Sequence, residues 1–115
     1  IAPILPGAPI PFAKEIYLYD TRIAGTSYIK NIDEIVRKLK VGDKLTLLRE
    51  INNKYDEFAI IIKTKDNEKI GYFPQIQNIV FSRLMDAGKL LSAKIDQIDK
   101  KNNWYDIKIK IYMLD

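Results

Sequence analysis

Alternation of apolar and polar residues along the chain predicts a domain built mainly of short strands. The clearest case is the segment 104–114, where apolar side chains occupy every second position and charged residues fall between them. Similar β-rich segments lie at residues 15–24, 44–50, 58–64, 69–73 and 90–99. Turn-forming residues separate several of these segments, so the pattern predicts about six short strands.

Two segments have helical spacing instead. Their apolar positions are Ile32, Ile35, Val36 and Leu39 in the first, and Ile76, Ile79, Val80, Leu84 and Ala87 in the second. Asn31 and Glu34 are placed to form a capping box at the start of the first helix. The second helix is predicted over residues 77–87, with Gly88 directly after its end.

The order of these elements indicates the fold class. Strands and helices do not alternate, which argues against a parallel sheet of the βαβ type. We therefore predict a mainly β (α+β) fold, a small OB-like antiparallel β-barrel with one or two short helices. Barrels of this type often bind single-stranded nucleic acid, but a fold alone does not establish a function.

Residues 1–12 differ in composition from residues 13–115, which we assign to the barrel domain. The segment contains four of the five prolines and no charged residue, and Pro3, Pro6 and Pro9 recur at every third position. This spacing is typical of an extended polyproline conformation. The apolar side chains between the prolines favour an arm that packs on a neighbouring domain or on a second copy of the chain, and an interdomain linker is the alternative.

Composition excludes several classes of function. The chain has 115 residues, which is enough for one domain, and it has no cysteine and no histidine. Disulfides, thiolate metal sites and histidine general bases are therefore excluded. The adjacent Asp56 and Glu57 do not form a carboxylate pair, because neighbouring side chains on a strand point apart. We expect no enzymatic activity, no metal and no cofactor.

Charge and hydropathy leave the partner open. Nineteen basic and fifteen acidic residues give a net charge of +4, which permits an anionic partner without requiring one. No segment has the length and apolar character of a membrane helix, and the start of the chain lacks the basic flank of a signal peptide. We therefore expect a cytoplasmic protein without a membrane partner.

Most of the chain resembles the HIRAN domain family. The resemblance is carried in order by Gly-Asp, Arg-Glu, Asn-x-Tyr-Asp, Ile-Gly-Tyr and Asp-Ala-Gly, within residues 42–50, 52–56, 69–74 and 84–88. Residues 23–28 extend it towards the amino terminus. The resemblance implies an OB-like barrel that binds DNA, particularly single strands at a free 3′ end, and an association with DNA repair.

The resemblance also implies which residues contact DNA. Tyr28 matches an aromatic residue that stacks on a terminal base, and Tyr55 with Asp56 matches a loop pair that contacts the last nucleotide. Asp56 would accept a hydrogen bond from the 3′-hydroxyl, and Asn53 would hold the sugar or order the turn. A half-buried tyrosine, or an aspartate that bonds amides of its own loop, is the structural alternative at these positions.

Further candidates would widen this site. Tyr72 is a third stacking platform. Positive charge could come from four residues: Lys30, Arg49, Lys54 and Lys69. Arg49 could instead pair with Glu50 or with another acid at the rim of the barrel. Ser27 stands where a DNA-binding relative has a basic residue, and this departure removes one phosphate contact.

The sequence supports two functions. The first is a DNA-binding module that recognises single-stranded DNA at free 3′ ends through aromatic stacking and the loop pair of Tyr55 and Asp56. The alternative is a protein-interaction or self-assembly module that does not bind DNA and that uses residues 1–12 to contact its partner.

Overall fold

The computed structural model describes residues 14–115, which form one antiparallel sheet of six strands with two short α-helices. The strands are β1 (Glu15–Arg22), β2 (Lys44–Arg49), β3 (Ile60–Lys63), β4 (Lys69–Tyr72), β5 (Leu90–Lys100) and β6 (Tyr105–Leu114). The helices are α1 (Ile32–Arg37) and α2 (Asn78–Asp86), and short 3-10 turns span Thr26–Tyr28 and Gln75–Gln77. The arm predicted at residues 1–12 lies outside the described residues.

The strand order is β1-β6-β5-β2-β3-β4, and every neighbouring pair is antiparallel. This arrangement confirms the predicted mainly β, OB-like fold. The sheet does not close into a complete barrel, because β1 and β4 are its two edges. The chain just after β1 reaches β4 through one bridge, in which the Ala24 and Tyr72 amides donate to each other's carbonyl oxygens at 2.8 and 2.9 Å.

At most positions the alternation in the strands corresponds to one buried and one solvent-facing side, although the charged Asp106 of β6 is only 5% exposed. In β6, Ile107, Ile109 and Ile111 are at most 1% exposed, whereas Lys108 and Lys110 are partly exposed. Each fully buried isoleucine contributes about 1.5–3 kcal/mol through the apolar surface that it removes from water. These side chains belong to the same hydrophobic core as Phe73 and Phe81, whose ring centroids are 4.8 Å apart.

The first helix confirms one prediction and corrects another. Ile35 is buried, and the other three apolar positions of the predicted stripe pack against the core. The capping box is wrong, because Asn31 precedes the helix without a side-chain hydrogen bond to its amides. The Asn31 backbone departs from the extended conformation in which a capping side chain reaches the N3 amide.

The second helix lies where it was predicted, but its buried face is different. Ile76, Ile79 and Val80 are 91, 47 and 63% exposed, while Asn78 and Ser82 are almost fully buried with Phe81. Ile76 belongs to the preceding 3-10 turn, which changes the angular position of the residues before the helix. Neither helix within residues 14–115 is long and apolar enough to cross a membrane.

Candidate nucleic-acid interface

A groove of 370 Å³ opens beside the bridge that joins the end of β1 to β4. Its walls come from the segment after β1, the loop at residues 50–59 and the segment that begins at the end of β4. Five of the six predicted contact residues line this groove: Tyr28, Asn53, Tyr55, Asp56 and Tyr72. The sixth, Lys54, is exposed in the same loop but does not line the groove.

Tyr28 and Tyr55, which come from different segments of the chain, present their rings to solvent. Tyr28 is 88% exposed and Tyr55 is 92% exposed, so neither ring is a half-buried core residue. Tyr28 ends the 3-10 turn that follows Gly25, whose φ of 75° lies in the left-handed region that glycine adopts readily. Exposed aromatic rings on the walls of a groove are available for stacking on nucleic-acid bases.

Asn53 orders the loop that carries Tyr55. Its side-chain Oδ1 accepts hydrogen bonds from the amides of Tyr55 and Asp56 at 2.8 and 2.9 Å. Its Nδ2 donates to Glu50 Oε1 at 2.6 Å. These bonds fix the backbone of the loop. The Asn53 side chain therefore orders the turn, which is one of the two roles predicted for it.

The carboxylate of Asp56 is held on both of its oxygens. Oδ1 accepts from the Phe58 amide at 2.9 Å, and Oδ2 accepts from Nδ2 of Asn78 at 2.7 Å. Asn78 is 1% exposed at the start of α2, so the helix fixes the orientation of the carboxylate. An ionised carboxylate can accept about four hydrogen bonds, so ordering the loop leaves room for a further donor.

Glu50 connects the loop to the opposite wall. Its Oε1 accepts from Asn53 and also from the Tyr72 hydroxyl at 2.8 Å, and Lys69 Nζ donates to that hydroxyl at 2.9 Å. The hydrogen bond from Asn53 is the largest influence that lowers the pKa of Glu50, followed by the one from Tyr72 and then by the charge of Lys69. Partial burial opposes this lowering.

We expect Glu50→Gln to destabilise the protein by about 1 kcal/mol at neutral pH, because its bonds to Asn53 and Tyr72 lose their charge. Folding lowers the pKa of Glu50 below 4.5, so its contribution is complete above that pH and is lost as pH falls through the lower folded-state value. The difference from wild type should therefore shrink in acid. Urea unfolding of both proteins at neutral and acidic pH measures it, and a constant difference would contradict the assignment.

Two other positions considered in the sequence, Arg49 and Ser27, do not line the groove. Arg49 does not pair with Glu50; its guanidinium binds Asp86, with Nε at 2.9 Å from Oδ1. The prediction that it pairs with another acid is therefore the correct one of the two. Ser27 is exposed and lines a neighbouring pocket of 270 Å³ together with Trp104.

Two residues of the site were not singled out in the sequence. Asn78 donates a hydrogen bond to Asp56, and Gln75 lines the groove. A polar residue directly before the apolar Ile79, Val80 and Phe81 was the one signal for Asn78. Glu50 was identified as part of a family motif, whereas its contacts with Asn53 and Tyr72 required the tertiary structure.

Comparisons with known proteins bear on the fold and the family of the chain. No curated protein matches the chain. A crystal structure of a protein from Lactobacillus plantarum is 27% identical, with a TM-score of 0.83, over 90% of this chain and 98% of that chain. The crystal structure of the HIRAN domain of human HLTF, 14% identical, has a TM-score of 0.67 over 87% of this chain and 78% of that chain, a likeness of fold. The HIRAN domain family matches residues 16–114, and the chain therefore belongs to that family.

Proposed function

We propose that this chain is a DNA-binding module that holds the free 3′ end of single-stranded DNA in the groove. HIRAN domains are binding domains, and the family is generally linked to DNA binding. The observation that carries the proposal is the convergence of Tyr28, Tyr55 and Asp56 on one groove, with both rings almost fully exposed.

Each of these residues has a distinct part in the proposed recognition. Tyr28 and Tyr55 stack on bases near the end of the strand, and each stacked base contributes about 1–3 kcal/mol without selecting a sequence. Asp56 accepts a hydrogen bond from the 3′-hydroxyl. The same carboxylate repels a terminal phosphate, so the site selects hydroxyl ends partly by excluding charged ones.

The test is fluorescence anisotropy with a short oligothymidine labelled at its 5′ end and carrying either a 3′-hydroxyl or a 3′-phosphate. We expect tighter binding of the hydroxyl end. Tyr28→Ala and Tyr55→Ala should each weaken that binding about tenfold, because each loses one stacking contact. Asp56→Asn should remove most of the preference between the two ends, because it removes the charge that repels a phosphate.

Tyr17→Ala is the matched control, since this tyrosine is 51% exposed on β1 and does not line the groove. The Tyr17→Ala protein should bind the 3′-hydroxyl oligothymidine as tightly as wild type. Equal affinity of wild type for the two ends would contradict recognition of the end. Unchanged affinity of folded Tyr28→Ala and Tyr55→Ala proteins would contradict the assignment of the groove.

A further inference from the structure

Two lysines lie opposite each other on the β3–β4 hairpin. Lys63 and Lys69 are register partners, so their side chains leave the same face of the sheet with their Cβ atoms about 5 Å apart. Like charges in this position destabilise a sheet. A pair that raises the energy of the free protein becomes favourable when an anion lies between the two ammonium groups.

Acidic side chains of the protein do not provide that anion. Ion pairs with a carboxylate occur at five other lysines, namely Lys38, Lys44, Lys65, Lys94 and Lys110. Neither Lys63 nor Lys69 has a carboxylate within 4.0 Å in residues 14–115. Lys69 acts on Glu50 only at longer range, beside the Tyr72 hydroxyl that donates to Glu50, so both lysines keep ammonium donors for a partner outside the domain.

This charge is continuous with the groove. Lys69 Nζ donates to the Tyr72 hydroxyl at 2.9 Å and lies 4.4 Å from the centroid of the Tyr72 ring, which lines the groove. An ammonium group has three donors, so this bond leaves two for a phosphate. Lys63 continues the positive charge away from the groove, where it pairs in register with Thr46 on β2.

We propose that Lys63 and Lys69 form a basic track that binds phosphates of the nucleotides preceding the 3′ end in the groove. The inference rests on the proposed function and extends it from the end of the strand to the path of the chain behind it. It also provides positive charge on the β4 side of the groove, whereas the segment after β1 has the uncharged Ser27. Phosphate oxygens between the two ammonium groups would offset their mutual repulsion.

The experiment compares a trithymidine, which is confined to the groove, with a longer oligothymidine that extends beyond it, both ending in a 3′-hydroxyl. Each is titrated at several salt concentrations against wild type, Lys63→Gln/Lys69→Gln and Lys14→Gln/Lys89→Gln. The last variant is the control, because it removes the same charge beside Leu114, where β1 and β5 begin and away from the groove.

We expect the track variant to bind the longer oligomer about tenfold more weakly at low salt. The slope of log K against log salt should fall by about 1.4, because two phosphate contacts of about 0.7 each are lost. Trithymidine should lose less affinity than the longer oligomer in the track variant, where Lys69 also contacts the groove-lining Tyr72, and the control should retain the wild-type affinity and slope. The track variant should unfold near the wild-type temperature, because relief of the opposed like charges offsets the loss of the Lys69 hydrogen bond to Tyr72.

Other outcomes separate the two proposals. If trithymidine binds but the track variant keeps the wild-type slope, the track is wrong and the end site stands. If trithymidine fails to bind while the longer oligomer shows the loss of slope, the track stands and the end site is wrong. Equal losses in the track and control variants would overturn the track. A labelled hexaglutamate that binds wild type as tightly as DNA, and loses affinity in the track variant, would identify an acidic protein segment as the partner instead.

Discussion

Replacing Gly71 with alanine is expected to lower the free energy of unfolding by about 3 kcal/mol. A Cβ atom at this position would lie 2.4 Å from the Ala24 carbonyl oxygen and 2.5 Å from Ile23 Cγ2. The carbonyl cannot move aside freely, because it accepts the Tyr72 amide in the bridge between the end of β1 and β4. Relief of the overlap therefore requires separation of the two segments that meet at the groove.

The loss should be visible in stability and in binding together. Ala24 and Tyr72 both line the groove, so their separation should weaken binding of 3′-hydroxyl oligothymidine by the folded variant. A loss of about 3 kcal/mol corresponds to a melting temperature about 12 °C lower for a domain of this size. Urea unfolding and thermal melts measure the first effect, and anisotropy measures the second.

Gly88→Ala is the control that measures the cost of a positive φ at a non-glycine residue without any steric overlap. Gly88 has a φ of 93°, and a Cβ atom there would have no neighbour within 4 Å. Its substitution should cost about 1 kcal/mol through the left-handed backbone and should leave DNA affinity unchanged. If Gly71→Ala were no less stable than Gly88→Ala, the close approach of β4 to the segment after β1 would be wrong.

The positions of most strands could be predicted because these strands have one face in the core, whereas β1 has no fully buried side chain. In β2, Leu45 and Leu47 are buried while Lys44 and Thr46 are exposed, so the alternation in the sequence follows burial directly. Apolar spacing predicted the position of α2 but not its buried face, because the spacing cannot reveal polar residues that are buried with hydrogen-bond partners. Asn78 donates to Asp56 and the Ser82 hydroxyl donates to the Ile79 carbonyl, so both are accommodated in the interior.

The residues proposed for the candidate site could be named from the sequence, but their contacts with one another could not. Tyr55 and Asp56 are neighbours in a family motif, and the resemblance identified them together with the distant Tyr28. The pairing of Lys63 with Lys69 depends on a register shift just after Ile62, which pairs with Gly71. Regular pairing would place Ile70 opposite Lys63, and the shift has no signature in the hydrophobic pattern. Contacts of this kind require the folded sheet.

Arg49→Met is expected to lower the free energy of unfolding by about 2–3 kcal/mol and to loosen the loop that carries the site. The guanidinium binds Asp86 through Nε and Nη2, and it donates to the carbonyl oxygens of Ala59 and Glu57 at 2.7 and 2.9 Å. Its side chain is only 13% exposed, so these carbonyls would lose a charged donor in a partly buried place. Methionine keeps most of the apolar stem and removes all of these bonds, which separates bonding from packing.

Hydrogen exchange should report the loosening directly. The Tyr55, Asp56 and Phe58 amides are held by side chains of the same loop, so they should exchange faster in Arg49→Met while amides of β5 and β6 change less. Asp86→Asn is the matched control, because it keeps the hydrogen bonds from Arg49 to the Ala59 and Glu57 carbonyl oxygens. It removes only a half-exposed charge, so it should lower the free energy of unfolding by less than about 1 kcal/mol. Because a mobile loop must be ordered when the strand end binds, affinity for 3′-hydroxyl oligothymidine should fall in Arg49→Met and remain near wild type in Asp86→Asn. Unchanged exchange in the loop of a destabilised Arg49→Met protein would show that Asn53 and Asn78 hold the loop without Arg49.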